Sequence, residues 1–388
     1  MSRLFSHINT SNAILKQYKG NPPLSSFLKN FFAQEKKYGS GDRKAIASLC
    51  YNYFRTGRTS AHESIEKKLA ASLFLYSTEP NEYLQKEKPG WNDSVGLPLT
   101  EKLALAGVDP QTIFPFNDHL CAGIDQQEFN FSFLIQPELF IRIRPGKKET
   151  VKKKLLVAQT SFYEVGADCL AFTNGTRLEH VLQINREFVV QDLNSQRVGE
   201  LFPGEKFSGS IDLWDCCAAS GGKSIMAYDL LPKLQITVSD VRNSIIHNLQ
   251  SRFREAEISS YRAFVTDVTD REKLEATIGK ATYDIVICDA PCSGSGTWSR
   301  TPEQLSFFNG AEITRYSKLQ KTIASNTIPY IKKKGYLLYI TCSVFKEENE
   351  EVVQFLQAEF ELTLIKVELF KGYKVKADTM FAALFQLK

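Results

Sequence analysis

Tyr283-Asp-Ile-Val-Ile-Cys-Asp289-Ala-Pro-Cys292-Ser-Gly-Ser-Gly296 joins an apolar run to a loop of small and polar residues. A second segment of the same kind follows, Gly335-Tyr-Leu-Leu-Tyr-Ile-Thr341-Cys342-Ser343. Runs that are apolar on both faces are expected of the buried strands of a parallel sheet. Each cysteine falls where a strand gives way to a loop, the edge at which open α/β sheets bind ligands. Neighbouring strands lie roughly 4.8 Å apart. If these two are neighbours, both thiols face one substrate atom from opposite sides. Two thiols at one site suggest a nucleophile and a second group that completes the reaction.

From about residue 205 onward strands and helices alternate. Candidate strands are Ile211 to Cys216, Ile236 to Asp240, Ala263 to Asp267, Tyr283 to Asp289 and Gly335 to Thr341. Two more close the chain, around Leu362 to Val367 and Met380 to Leu387. This alternation predicts a doubly wound sheet with helices on both faces. Residues 126–204 read as a small α/β domain. In it, Glu138-Leu-Phe-Ile-Arg-Ile-Arg alternates like a strand up to Pro145-Gly146, and a basic helix and further strands follow, Glu187-Phe-Val-Val-Gln among them. Residues 1–125 read as helical, with i, i+3, i+4 apolar spacing in Ser26 to Phe32, Arg43 to Phe54 and Glu63 to Leu75. Pro and Gly between Lys86 and Pro98 predict a loop.

A chain of 388 residues is expected to divide into two or three domains. No apolar stretch approaches the ~18–20 residues of a membrane span, and Met1-Ser-Arg-Leu-Phe-Ser-His has no signal-peptide core. The 8 cysteines are scattered, without paired Cys-x-x-Cys motifs or neighbouring His clusters. That argues against a disulfide scaffold and against structural zinc, and it fits a reducing cytoplasm. The net charge is only +4, but the first sixty residues carry ten Lys or Arg against Glu35 and Asp42. A second cluster is Lys147, Lys148, Lys152, Lys153 and Lys154. With Tyr38, Tyr51, Tyr53 and Phe54 interleaved, such charge suits nucleic acid, and it equally suits a solvated helix face.

The first candidate strand of the large sheet runs into Asp215-Cys-Cys-Ala-Ala-Ser-Gly-Gly-Lys-Ser224. A Gly pair there lets backbone approach a ligand where Cβ atoms would clash. The Gly-x-Gly-x-x-Gly of a dinucleotide loop is absent. Gly222-Lys223-Ser224 fits the end of a nucleotide triphosphate loop, with Asp289 as a possible magnesium ligand, but Cys217 stands where that loop needs its first glycine. Asp240 ends the second strand about twenty residues on, the distance at which a carboxylate meets ribose hydroxyls. Asp267 ends the third. Two strand-end acids suit a nucleoside without phosphates and welcome a cation; S-adenosyl-L-methionine is such a ligand. Each acid alone also fits a helix cap.

These residues resemble the RNA (cytosine-5)-methyltransferases of the bacterial Sun/Fmu and eukaryotic Nop/NSUN type. Cys217-Ala218-Ala219-Ser220-Gly221-Gly222-Lys223-Ser224 is similar to the family's cofactor loop. Asp289-Ala-Pro-Cys292-Ser-Gly-Ser-Gly-Thr, with Arg300 and Pro302-Glu303, is similar to its catalytic loop. Thr341-Cys342-Ser343 before Glu348-Asn349-Glu350 resembles its second cysteine motif, and Gln191-Asp192 with Ser195 its preceding strand-turn segment. A looser likeness reaches Arg43 and Arg55.

The resemblance implies a class I (Rossmann-like) methyltransferase sheet over residues 205–388 that takes S-adenosyl-L-methionine. It implies a small α/β RNA-binding domain and a helical N-terminal region of RNA contact ahead of that sheet. Cys342 would be the nucleophile on carbon 6 of cytosine, Cys292 the group that releases the product, and Asp289 the group that neutralises charge on the ring. Cys217, Ala218, Ala219, Ser220, Gly221, Gly222, Lys223, Asp240, Asp267 and Asp289 would hold the cofactor. The expected partner is RNA, ribosomal RNA of the bacterial 16S branch first and tRNA as the alternative, with no metal and no membrane, for a cytoplasmic monomer. A silent RNA-binding assembly factor is the rival of another class. The chain departs from the family at Ser220, where proline is usual, at Arg142-Ile-Arg-Pro, which replaces Arg-Val-Asn, and at Asp378-Thr-Met-Phe, which lacks a glycine.

Overall fold

A computed structural model describes residues 3–59 and 63–388. They form two compact units: the chain up to Asp118 with Gly123–Gln136 and Trp298–Asn309, and His119–Ala122 with Pro137–Thr297 and Gly310–Lys388.

The first unit is helical. Its main helices are Arg3–Gln17, Leu24–Gln34, Ser40–Arg55 and Ile65–Tyr76, the last started by Ser64, whose side chain accepts the Lys67 N–H. Their apolar faces meet at Ile14, Leu28, Ile46, Cys50 and Phe54. Tyr38, Tyr51 and Tyr53 pack on the same core, so the aromatics interleaved with the basic residues are occupied in holding helices together. The predicted loop at 86–98 is instead partly helical, with Glu82–Glu87 and Pro89–Asn92. Asn81 caps the first of these helices and Asn92 receives the Asn81 N–H, while proline at a first helical turn costs nothing.

The second unit holds two sheets. The smaller has β1 (Leu139–Ile143), β2 (Tyr163–Glu164), β3 (Cys169–Phe172) and β4 (Phe188–Val190), in the order β2-β3-β1-β4, antiparallel throughout. The helix Lys148–Val157 buries Val151 and Leu155 against it. Arg142 and Arg144 of the segment that departs from the family both reach Asp229 in the helix Gly222–Leu230, at 2.6 and 2.8 Å. These side chains are buried and face protein.

The larger sheet consists of β5 (Ile211–Asp215), β6 (Leu234–Asp240), β7 (Tyr261–Val265), β8 (Tyr283–Asp289), β9 (Ile331–Thr341), β10 (Leu362–Phe370) and β11 (Met380–Leu387). Their order is β10-β11-β9-β8-β5-β6-β7. β5 to β9 run parallel, and β11 enters antiparallel between β10 and β9. Alternate residues serve opposite layers. Leu213, Ile285, Ile287, Leu338 and Ile340 face one helical layer, and Trp214, Val286, Cys288, Leu337 and Tyr339 face the other. That is why these runs read as apolar without alternation. Cys288 and Cys216 are core side chains. The strand order reverses at β5, between β6 on one side and β8 on the other, which opens a crevice at the carboxyl ends of these strands.

Candidate active site

β8 and β9 are parallel neighbours in the register Asp289↔Ile340, so the loops that follow leave the same sheet edge together. Three backbone bonds hold them: Ala290 N–H to Ile340 O at 3.0 Å, Gly296 N–H to Cys342 O at 2.9 Å and Thr379 N–H to Gly296 O at 2.9 Å. A Cβ at Gly296 would fall 2.0 Å from the Thr379 carbonyl oxygen, so this position admits glycine alone. The result places Cys292 Sγ and Cys342 Sγ 3.3 Å apart. Contact with Cys342, and burial after it, hold the Cys292 thiol well above the ordinary thiol range.

The loop after β5 carries two left-handed residues, Ala219 (φ +46°) and Gly221 (φ +81°). A Cβ at Gly221 would meet Phe253 at 2.9 Å and Leu249 at 3.0 Å, so glycine lets the helix Asn243–Glu255 pack close. Ala219 has no such excuse, and its conformation is held by its N–H to Asp240 Oδ2 at 3.1 Å. Ser220 receives Arg252 Nη1 on its carbonyl at 2.8 Å and on its hydroxyl at 2.7 Å. The guanidinium thus fixes the turn that the family stiffens with proline. Lys223 Nζ lies 2.6 Å from Asp289 Oδ2. Burial pulls the Lys223 ammonium down, but the Asp289 carboxylate, with Cys342 and Asp215 behind it, carries it above the usual lysine value. Asp289 therefore presents its Oδ2 to Lys223 Nζ at the mouth of both cavities.

Two cavities meet here. The larger, of about 630 Å³, is lined by Cys217, Ala219, Asp240, Asp267, Asp289, Cys292 and Cys342. The smaller, of about 300 Å³, is lined by Ala218, Ser220, Gly222 and Lys223, and shares Ala219, Asp289 and Cys342 with the first. Gly221 lines neither. Gln191, Asp192, Arg252 and Asp378 also line the smaller one. Asp267 accepts Thr269 N–H and Oγ1–H at 2.9 and 2.6 Å, so it caps its own turn while bordering the larger cavity. Asp240 is bound by the Arg242 N–H and Nε, each at 3.0 Å.

Arg242, Thr266 and Tyr316 also line the larger cavity and escaped the sequence reading. Arg242 and Thr266 sit within two residues of the predicted acids, so strand-end position was the available signal. Tyr316 comes from the distant helix Ala311–Thr327 and left none. Thr266 Oγ1 is buried without a hydrogen-bond partner among the described residues. An unsatisfied hydroxyl beside two acids and the apolar Val241, Val268 and Ile323 fits a nucleoside whose polar edge completes the set. No group of three His, Cys, Asp or Glu among the described residues is placed to hold a metal ion, and no described helix is long and apolar enough to cross a membrane.

This strand order, with its glycine loop at the reversal point and strand-end acids beyond it, is the sheet of a class I, Rossmann-like methyltransferase. Over residues 208–385 the chain matches the model of the family described as 16S rRNA methyltransferase RsmB/F. Ribosomal RNA small subunit methyltransferase B of Erwinia tasmaniensis is 31% identical over 182 residues, 46% of this chain and 40% of that protein. Its Proteus mirabilis counterpart is 28% identical over 170 residues, 44% of this chain and 39% of that protein. The chain thus spans about two fifths of the length of these relatives. The crystal structure of PH0851 shares the fold over 95% of both chains, with a TM-score of 0.72 at 19% identity. That of NSun6 from Pyrococcus horikoshii with SFG covers 67% of this chain and 94% of its own, with a TM-score of 0.56 at 16% identity.

Proposed function

We propose that this chain methylates carbon 5 of cytosine in RNA, ribosomal RNA first, using S-adenosyl-L-methionine and a covalent Cys342–cytosine intermediate. The observation that carries this reading is the pair of sulfurs at 3.3 Å where the two cavities meet, beside the Lys223–Asp289 pair. The larger cavity takes the cofactor, with Asp240 and Asp267 toward its nucleoside, and the smaller takes the target base. A base reaches such a cavity only from a single-stranded or flipped-out position. The working division has residues 1–125 and 126–204 holding the RNA backbone and 205–388 carrying the chemistry, in a cytoplasmic monomer.

The bound cofactor supplies an electrophilic methyl group. Cys342 thiolate adds to carbon 6, and the displaced electron pair moves toward ring nitrogen 3 and oxygen 2. A proton from the Lys223–Asp289 pair reaches nitrogen 3 and leaves carbon 5 an enamine carbon able to take the methyl. Bonding to carbon 6 removes the negative charge from Cys342, and with it the largest influence that held Cys292 protonated. Cys292 then returns its proton to the depleted lysine–aspartate pair. As thiolate it takes the hydrogen of carbon 5, the carbon 6–sulfur bond breaks, and Cys342 leaves as thiolate. Nitrogen 3 sheds its proton to water and aromaticity returns.

The test is a denaturing gel of labelled cellular RNA with the cofactor and wild type, Cys292→Ala or Cys342→Ala. The reading expects a denaturation-resistant adduct with Cys292→Ala, and neither adduct nor methylation with Cys342→Ala. Methylation by wild type with no adduct from any variant overturns the thiol roles. Binding of RNA without methylation favours an assembly factor.

A further inference from the structure

Behind the two cysteine loops lies a carboxylate that the chemistry above leaves unused. Glu348 is fully buried and pairs with no cation among the described residues. Burying an ionised carboxylate so is costly unless donors surround it. Here they do. Glu348 Oε2 accepts the Ser293 N–H at 2.9 Å and Gln320 Nε2 at 2.8 Å, and Oε1 accepts the Ser343 hydroxyl at 2.8 Å. Ser293 follows Cys292 and Ser343 follows Cys342, so one side chain ties together the residues just after both sulfurs. Gln320 also donates to Pro291 O at 3.0 Å, and the Tyr339 hydroxyl donates to Glu348 O at 2.6 Å. A helix-capping acid would sit exposed at a helix terminus, whereas this one bonds to neither end of the helix Glu350–Glu359.

We propose that Glu348 is a positioning residue of this active site: its carboxylate latches the Cys292 loop to the Cys342 loop and holds the two sulfurs in register. The roles of the sulfurs rest on the function proposed above; the latch itself does not. Burial raises the pKa of this carboxyl, and every group bonded to it donates and opposes that rise, so the site suits the acceptor-only carboxylate. An amide would turn an N–H against one of three donors. The charge also bears on Cys292, whose thiol is held up first by Cys342, then by burial, and further by Glu348. The other titratable groups facing Cys292 among the described residues are Tyr339 from β9 and, across the larger cavity, Asp289 and Tyr316; Lys223 faces Cys342, and Cys121 faces Glu348.

Iodoacetamide alkylation of Cys292, followed by peptide mass spectrometry across pH without RNA, reads the latch directly. Wild type is expected to modify Cys292 slowly, with a midpoint well above an ordinary thiol. Glu348→Gln is expected to lower that midpoint by about one unit, giving roughly tenfold faster alkylation at a fixed pH below it, together with reduced methyl transfer. Glu348→Asp, which keeps the charge but shortens the reach, should retain the midpoint and still lose methyl transfer. An unmoved midpoint and full transfer in Glu348→Gln overturn the proposal, as does faster alkylation at every pH with no shift. If Glu348→Gln does not fold, Ser343→Ala, which keeps the charge and removes one latch bond, must slow transfer at an unchanged midpoint. If wild type shows the alkylation profile yet methylates no RNA, the function fails and the latch stands.

Discussion

At the scale of single residues, the site depends on positions whose side chains are small for steric reasons and on one acid buried for no evident sequence reason. Gly296→Ala puts a methyl group into the Thr379 carbonyl and must push the Cys292 loop off the segment that leads into β11. A displacement of about 1 Å at a reacting group costs on the order of a hundredfold in rate, and we expect that loss in methyl transfer with the protein still folded by circular dichroism. Asp215, at the end of β5, is raised to about 7 by burial, against the bond from Ser224 at 2.6 Å. Its folded value exceeds its unfolded one, so the native state binds the extra proton between the two. Stability should fall as pH rises from about 4, the unfolded aspartate range, and level off above the folded value. Asp215→Asn should flatten that slope and raise the melting temperature at pH 8 more than at pH 5; an unchanged slope in thermal melts would refute the assignment. The strand-end places of Cys292, Cys342 and Asp289 were legible from the apolar runs before them. The burial of Asp215 and Glu348 was not, because burial comes from packing that a linear pattern does not record.

At the scale of elements, the sequence announced β8 and β9 through their doubly buried apolar runs, but not the order of strands around them. That β11 slips antiparallel between β10 and β9 is a matter of non-local pairing, and the terminal apolar runs gave only existence. The stretch 86–98 misled because Pro and Gly mark helix starts as readily as loops when a cap such as Asn81 precedes them. The turn at Ser220 teaches the opposite lesson. Serine stands where the resembled family has proline, yet the helix Asn243–Glu255 supplies Arg252 to that turn with two bonds. Hydrogen bonds from a charged donor contribute about 1.5–3 kcal/mol. Through Ala219, which the same turn carries into the larger cavity beside Asp240, Arg252→Ala is expected to weaken S-adenosyl-L-methionine binding by about tenfold or more in calorimetry. Unchanged affinity would mean the turn holds itself.

At the scale of the whole molecule, the chain runs through the larger sheet to Thr297, contributes Trp298–Asn309 to the helical unit, and rejoins its own unit at Gly310. Arg300 and Pro302-Glu303 lie in the segment that resembles a catalytic loop, and that likeness did not reveal that their neighbours are fastened elsewhere. In the helical unit Trp298 packs on Phe114 and Phe308, Glu303 accepts the Leu24 N–H, and Phe307 meets Tyr18 edge-on. Arg55 is the fastening: its guanidinium, 2% exposed, donates to the carbonyls of Phe133, Ile135 and Ser299, the last at 2.7 Å. A basic residue that composition assigned to a polyanion is thus spent on backbone oxygens of its own unit. Arg55→Met keeps the length and removes every donor, leaving buried carbonyls that cost about 1–3 kcal/mol each when unsatisfied. Amide exchange over residues 298–309 should then rise by at least tenfold while Tyr339 and its neighbours in β9 stay protected. Arg55→Lys, with fewer donors, should fall between. If exchange in that segment is unmoved by either change, the aromatic contacts alone hold it, and the buried guanidinium has another task.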